Sequence, residues 1–405
     1  MALDVISLMI SAGPRSTVLA LNSGSSSLKF GLYRIESFIP KMLLSGEAES
    51  IGGREGKFWA KDGNDNPLAS ESADFGTHRD AVTRIGRFLA DRRETQPVAI
   101  GHRVVHGGPT LRRHCLIDDA VLRQLEAAAA FAPLHNPPAV SVIRFAQEHF
   151  PQLPQVACFD TAFHAGMPDV ARTLPLPQEL RSCGIERYGF HGLSCESIMR
   201  QLGDNPPDRL IIAHLGNGVS VTAVKGGHSV DTSMGLTPTG GVIMGTRCGD
   251  LDPGVLVYLA REENFDAARL EALVDHRSGL LGISGIDSDM RRLHEASPSS
   301  ADARLAIQMF CYSIRKQVAA MIAALDGIDL LVFTGGIGEH DAKVRAVICN
   351  RLSWLGIRLD PARSQSLQDP ISDPASRCLV RVLPSEEDAE IAAHIGELVG
   401  CYLNS

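Results

Sequence analysis

Short apolar runs that stop abruptly on small or polar residues punctuate this chain. The first is Val18-Leu19-Ala20-Leu21, which ends on Asn22. Ser23-Gly24-Ser25-Ser26-Ser27 follows, and alternation resumes through Leu28, Phe30 and Leu32. The pattern predicts a buried strand, a turn, and a half-buried strand over Leu28–Tyr33 running straight back. Gly24 permits a positive φ, and the serines set hydroxyls beside free backbone N–H groups. Such a tip suits an anion such as phosphate, or is simply a solvated Gly/Ser turn.

The pattern returns twice. Leu210-Ile211-Ile212-Ala213 leads into Gly216-Asn217-Gly218, and alternation resumes from Val219 to Val224. Leu330 to Phe333 ends on Thr334-Gly335-Gly336-Ile337-Gly338, and "AKVRAVICNRL" after it reads as helix. The first two units are spaced as an internal duplication, one hairpin opening each half. Three such turns would present three backbone surfaces to one polyanionic ligand; the alternative is three unrelated turns in a large α/β protein. The only Gly-Lys, Gly56-Lys57, is followed by Phe58, so a P-loop is disfavoured. No G-x-G-x-x-G follows a strand, which disfavours a Rossmann site.

Composition narrows the class. The chain has 405 residues, 44% hydrophobic and 21% charged, with a formal net charge of −8. That is an ordinary globular composition of two-domain length, without the basic stripe of a nucleic-acid binder. No apolar run is long enough to span a membrane. Residues 1–15 lack a basic start and carry Asp4, so they read as an N-terminal extension rather than a signal peptide. Nine cysteines without a C-x-x-C pair fit a reduced, cytoplasmic chain.

Charged residues lie between the turns. "AIGHRVVHGGPT" places Arg103 in a β-branched run, where a guanidinium needs an anion: a ligand, or a buried carboxylate. His102 and His106 flank it, but four residues along a strand is about 13 Å, too far to share one ion. Alternation turns Arg103 and Val105 to one face and Val104 to the other, into the domain. "FAPLHNPPAV" reads as a Pro-stiffened loop holding His135, and "QVACFDTAFH" ends an apolar strand on Asp160, a place for a Mg²⁺ ligand or a helix cap. His191 sits between glycines ahead of a helix, and Arg247 follows Gly245-Thr246 in a long glycine-rich loop. No serine or cysteine nucleophile stands beside an obvious base. Phosphate-type turns, two arginines, histidines and an acidic strand end are the parts for phosphoryl transfer, which needs alignment and charge neutralisation more than covalent help.

Eight segments then resemble the acetate kinase family in that family's order: "LNSGSSSLKF", "GHRVVHGG", "PLHNPP", "FDTAFH", "YGFHG", "HLGNG", "MGTRCGDLDPG" and "FTGGIGE". The resemblance runs from Val18 to Asp388. It implies an α/β, duplicated actin-like (ribonuclease H-like) ATPase fold, two domains around a central cleft. Residues 16–161 with 387–405 would form one domain and 162–386 the other. It implies the reaction ATP + acetate ⇌ ADP + acetyl phosphate with Mg²⁺, or Mn²⁺, in a cytoplasmic homodimer that binds neither nucleic acid nor membrane. Arg103 and Arg247 would hold the carboxylate and the phosphoryl group, with His191 donating to the phosphoryl oxygens, His135 close by and Asp160 essential. Asn22, Asp160 and Glu387 would position the metal; Glu387 is chosen over Glu386 by register. Lys29, His214, Leu215, Gly216, Asn217 and Gly218 would cradle the nucleotide, as would Asp289, Met290, Arg291, Gly336, Ile337 and Gly338. Val105, Leu134, Phe190 and Pro238 would surround the acetate methyl.

The chain departs from the family pattern at His340, where Asn is usual after "GIGE", and in "GIDSD" and the Thr-Gly-Gly after Thr237-Pro238. Propionate kinase chemistry is the nearest alternative, since one methylene is worth only about 1–3 kcal/mol in such a pocket. A non-catalytic nucleotide binder of the same fold would be expected to have lost the arginines, His191 or Asp160. A sugar kinase would need a base for a hydroxyl, whereas acetate is already ionised at neutral pH.

Overall fold

Thirteen strands are found among the described residues of this computed structural model, which are 16–403 apart from 25, 37–38, 54 and 93–95. The extension expected over residues 1–15 lies outside them. The strands are β1 (Ser16–Ser23), β2 (Ser27–Glu36), β3 (Ile39–Glu49), β4 (Lys57–Asp62), β5 (Pro67–Ser72), β6 (Ala99–Val104), β7 (Cys115–Leu116) and β8 (Gln155–Phe159), then β9 (Arg209–Leu215), β10 (Val219–Lys225), β11 (His228–Thr232), β12 (Leu330–Thr334) and β13 (Leu379–Val382).

They form two sheets, ordered β5-β4-β3-β2-β1-β6-β8-β7 and β11-β10-β9-β12-β13. Both hairpins read from the sequence are present, as the antiparallel pairs β1–β2 and β9–β10. The duplication goes further than the hairpins. In each sheet the first three strands of the repeat are antiparallel neighbours, and the first, fourth and fifth run parallel. Numbered within each half, β3-β2-β1-β6-β8 and β11-β10-β9-β12-β13 are the same order, 3-2-1-4-5.

The chain divides into two compact units. One runs to Ala162 and includes Gly192–Ser197 and the chain from Glu386; the other holds Phe163–His191 and Ile198–Ser385. The sequence-drawn boundaries placed Gly192–Ser197 with the second half.

In the first unit, alternation along β1 feeds two cores. Leu19 and Leu21 pack with Phe30, Val82, Ile85 and Ile100, while Val18 and Ala20 pack with Ile391, Ala392 and Ile395 of the C-terminal helix Glu387–Leu403. Gly101 lets that helix approach: a Cβ there would lie 2.6 Å from Ile391 Cγ2. β2 is more buried than expected, since helices cover both faces; Leu28, Phe30, Gly31, Leu32 and Tyr33 are all buried. In the second unit, helix Ala301–Ala324 packs on β9, β10 and β11 through Phe310, Ile314 and Val318.

Three local readings change. Gly24 does not adopt positive φ; its N–H closes the turn onto Ser27 O at 2.9 Å. Asn136-Pro137-Pro138 is not loop but the first turn of helix Asn136–His149, where Pro lacks only an N–H that no helical bond would use. Gly335–His340 is a short helix rather than a turn: Gly335 at φ +77° redirects the chain as β12 ends, and Glu339 Oε1 accepts the Gly335 N–H at 2.9 Å. No helix among the described residues is long and apolar enough to cross a membrane. The eight cysteines from Cys115 to Cys378 are free thiols.

Candidate active site

Parallel strands bring their carboxyl ends to one edge of a sheet, and in open α/β sheets ligands bind beyond that edge. In the first unit β1, β6 and β8 are parallel neighbours, and their ends carry Asn22, Arg103 and Asp160. Asp160 follows β8, held by its N–H to Val104 O at 3.0 Å and its carbonyl to Gly192 N at 2.8 Å. Arg103 Nε lies 3.1 and 3.0 Å from the two Asp160 oxygens, and a terminal guanidinium nitrogen 2.6 Å from Oδ2. The other terminal nitrogen donates to Asn22 Oδ1 at 3.2 Å and lies 3.8 Å from Glu387 Oε2. Of the two partners open at the sequence level, Arg103 therefore meets the carboxylate. Burial raises Asp160 above the usual carboxylate range, and Arg103 pulls it back toward ionisation.

Glu387 joins this group from the first turn of the C-terminal helix, and Asp388 joins it unpredicted. Asn22 Nδ2 donates to Asp388 Oδ1 at 3.0 Å and to Glu387 Oε2 at 3.3 Å. Asp388 is raised by burial and by the Glu387 charge, with the Asn22 hydrogen bond opposing. Its signal was available: three of the residues at 386–388 are acidic, directly ahead of an apolar helical pattern. Lys29 stands opposite Asn22 in the β1–β2 register, and its charge reaches Asp388. All the oxygen donors here are hard ligands, a set that suits Mg²⁺ or Mn²⁺.

Val104 is fully buried with Phe159, Val140 and Ile143. Val105 is buried too, but β6 ends at Val104, so strand alternation is not what orients it. Leu134 and His135 are half-buried ahead of helix Asn136–His149. His102 is a core histidine: Nε2 lies 2.7 Å from Gln155 Oε1, and burial pushes it down to about 4.

The second unit repeats the arrangement at the ends of β9 and β12. Here His191 occupies the left-handed region at φ 60°, a costly conformation for a non-glycine residue. Its Nδ1 lies 3.0 Å from Ser220 Oγ, and its ring stacks on His214 with centroids 4.1 Å apart. Gly218 faces the other nitrogen: a Cβ there would lie 3.0 Å from His191 Nε2 and 3.4 Å from an Arg247 guanidinium nitrogen. Arg247 donates to Pro238 O at 3.2 Å. Phe190 is buried, and its carbonyl lies 3.0 Å from His164 Nε2. His191, His214, Gly218, Pro238 and Arg247 are thus brought together.

Beside them a cavity of about 1100 Å³ is lined by Gly216, Asn217, Asp289, Met290, Arg291, Gly336 and Ile337, seven of the positions expected to meet a nucleotide. Asp289 caps helix Met290–Ala296, and Arg291 grips its carboxylate at 2.6 Å, holding it below the usual range. His214, Leu215 and Gly218 lie on or just after β9, and Gly338 is buried in the short helix. His340, Lys343 and the His294–Asp341 pair, 2.7 Å apart, also line the cavity. Sequence reasoning noted His340 only as a departure.

A five-stranded topology occurring twice, with glycine-lined strand ends carrying anion-directed groups, is the duplicated actin-like ATPase fold of mixed α/β class. The family model described as the acetokinase family matches residues 17–393. The chain belongs to that family. It is 45% identical over 360 residues to acetate kinase of Shewanella loihica, covering 86% of this chain and 89% of that one. Acetate kinase of Nitrobacter hamburgensis is 41% identical over 387 residues, covering 93% and 95%. Among solved structures, a propionate kinase from Francisella tularensis superposes with TM-score 0.88 at 38% identity, covering 95% of this chain and all of that one. Porphyromonas gingivalis acetate kinase gives 0.84 at 35%, with the same coverage. The chain is accordingly an ATP-dependent carboxylate kinase.

Proposed function

We propose that this protein transfers the γ-phosphoryl group of ATP to acetate, giving acetyl phosphate and ADP, with Mg²⁺ as the metal and Mn²⁺ able to replace it. The carrying observation is the His191–Arg247 pair flanking Gly218 beside the glycine-lined cavity of the second unit. The cavity takes the nucleotide, with Gly216, Asn217, Gly336 and Ile337 close to its phosphates and Asp289 and Arg291 on the adenosine side. An acetate oxygen attacks the γ-phosphorus as the bond to ADP breaks, and ADP leaves with the electron pair. No proton moves, since acetate is already ionised.

The residues supply charge and orientation. Arg247 neutralises the phosphoryl oxygens in flight. With Ser220 Oγ at its Nδ1, His191 turns Nε2 past Gly218 to serve as a second donor to the phosphoryl oxygens. Arg103 receives the acetate carboxylate, and its pairing with Asp160 holds the guanidinium in place. Asn22, Asp160 and Glu387 hold the metal, which when bound neutralises phosphate charge. The family resemblance assigns Val105 and Leu134 of the first unit, and Phe190 and Pro238 of the second, to the acetate methyl group. His135 assists, and apart from Gly192–Ser197, which belongs to the first unit, the domains follow the boundaries drawn from sequence. We read the working form as a cytoplasmic homodimer: Val255, Val257 and Tyr258 of helix Pro253–Glu262 are 41%, 53% and 58% exposed, with Leu251 beside them. Sedimentation giving a monomer at working concentration would remove the dimer.

The test is ADP release and hydroxylamine trapping of the acyl phosphate, with acetate, propionate and butyrate compared by kcat/KM. ATP turnover without a trapped acyl phosphate would refute the reading. A propionate value above that for acetate would make propionate the substrate, the reading that the Francisella tularensis neighbour favours.

A further inference from the structure

We propose that Glu196 is a positioning residue for the acidic group of the first unit: clamped between His114 and His394, it fixes the backbone segments that deliver Asp160 and Glu387. The inference rests on the reading of those two residues as the metal's holders.

Glu196 lies on Gly192–Ser197, the helical stretch that belongs to the first unit. Its side chain is 17% exposed. His114 Nε2 lies 3.2 Å from both its oxygens, and His394 Nε2 lies 3.1 Å from Oε2. The two imidazoles sit 4.0 Å apart. His394 also has Glu390 Oε1 at 3.3 Å and Glu397 Oε2 at 3.5 Å. Burial alone would lower His394, but the hydrogen bonds to Glu196 and Glu397 hold it at about 9. Burial alone would raise Glu196, and the two histidines hold it at about 2. A buried ion pair adds little net stability over an apolar replacement, so its geometry is the feature to explain.

Each partner leads to the acidic group. His114 Nδ1 accepts the Phe159 N–H at 3.0 Å, and Phe159 directly precedes Asp160. Gly192, four residues before Glu196 on the same helix, donates its N–H to Asp160 O at 2.8 Å. His394 rides the C-terminal helix whose first turn carries Glu387 and Asp388. One carboxylate therefore ties the end of β8, the Gly192–Ser197 stretch and the C-terminal helix together.

His114, Glu196 and His394 bring their ligand atoms within 4.8 Å, which invites a metal reading. The hydrogen bond from Phe159 argues against it. It places the His114 ring proton on Nε2, the atom a metal would need bare, whereas a metal-bound histidine donates from its other nitrogen.

The experiment compares the full-length wild type with Glu196→Gln, which keeps the shape and removes the charge, and His394→Gln. Mn²⁺ affinity in the presence of ADP is read by electron paramagnetic resonance. The Mg²⁺ dependence of ADP release with acetate is read separately. Groups that orient metal ligands typically matter by about 10–100-fold. Acting through backbone, Glu196 should lie near the low end, so both variants are expected to need about tenfold more metal by either readout, with the KM for acetate unchanged. A folded variant with wild-type Mn²⁺ affinity and only a lower melting temperature overturns the proposal. Should Glu196→Gln not fold, His394→Gln decides alone. If the wild type releases no ADP with acetate, the functional reading fails, while the Mn²⁺ measurement still judges the clamp.

Discussion

Replacing Asp160 by Asn removes one charge from a buried contact and leaves the shape. Asp160 meets Arg103 through nitrogen–oxygen distances of 3.1, 3.0 and 2.6 Å. An amide keeps one acceptor but turns an NH₂ toward a guanidinium, so one contact becomes donor against donor. Stranding one member of a buried pair costs about 3–5 kcal/mol. Arg103 is not stranded: it keeps Asn22 Oδ1 at 3.2 Å and Glu387 at 3.8 Å, and its side chain is 20% exposed. The expected loss is that of a hydrogen bond to a charged group, about 1.5–3 kcal/mol. For a unit of this size that lowers the melt by about 5–10 °C. Activity should fall at least about 10²-fold, the low end for losing a group that organises charge at the reacting centre. The assays are a thermal melt of the ligand-free protein and coupled ADP release across a Mg²⁺ titration. Arg103→Gln and the double variant complete a cycle whose coupling energy reports the pair directly. An unchanged melt with zero coupling would refute the ion pair. Full activity with an unaltered Mg²⁺ requirement would leave Asp160 as structure alone.

Three further expectations follow from named contacts. Arg247→Ala should lower kcat/KM for acetate at least about 10²-fold, and Arg247→Lys should recover little because an ammonium lacks the planar fork; a fully active Lys variant would count against bidentate recognition. Val105→Ala should favour propionate over acetate by about 5- to 30-fold in kcat/KM, while Val104→Ala should cost about 1–3 kcal/mol of stability and leave the ratio alone; the reverse result places the pocket wrongly. His394, held at about 9 against an ordinary 6.5, contributes stability that is complete below about pH 6.5 and lost as pH rises through 9. Glu196, held at about 2 against 4.5, contributes stability that is present above about pH 4.5 and lost as pH falls toward 2. The gap in unfolding free energy between wild type and His394→Gln should therefore be widest near pH 5–6.5, at most about 3 kcal/mol, and close toward pH 9. A gap independent of pH would show that His394 does not carry the charge.

The local pattern of apolar and small residues was enough for both hairpins, since alternation and a glycine-rich break are properties of neighbours in sequence. The chemistry of the site was likewise visible as residue types: arginines in or beside strand ends, an aspartate after an apolar run, a histidine between glycines. Motif order was enough to name the family. The helix Gly335–His340 escaped, because consecutive glycines argue for a turn until Glu339 caps the first N–H and β12 fixes where it starts. Who meets whom was decided only by the tertiary structure. Asn22 reaches Glu387 across 365 positions and Arg103 reaches Asp160 across 57, because parallel crossovers align the ends of β1, β6 and β8 and the last helix returns to cover them. The same return placed Asp388 in the acidic group and gathered His114 and His394 around the Glu196 carboxylate. Periodicity reports only which face a side chain takes, and the identity of its partner is set by the crossover that brings distant strands side by side.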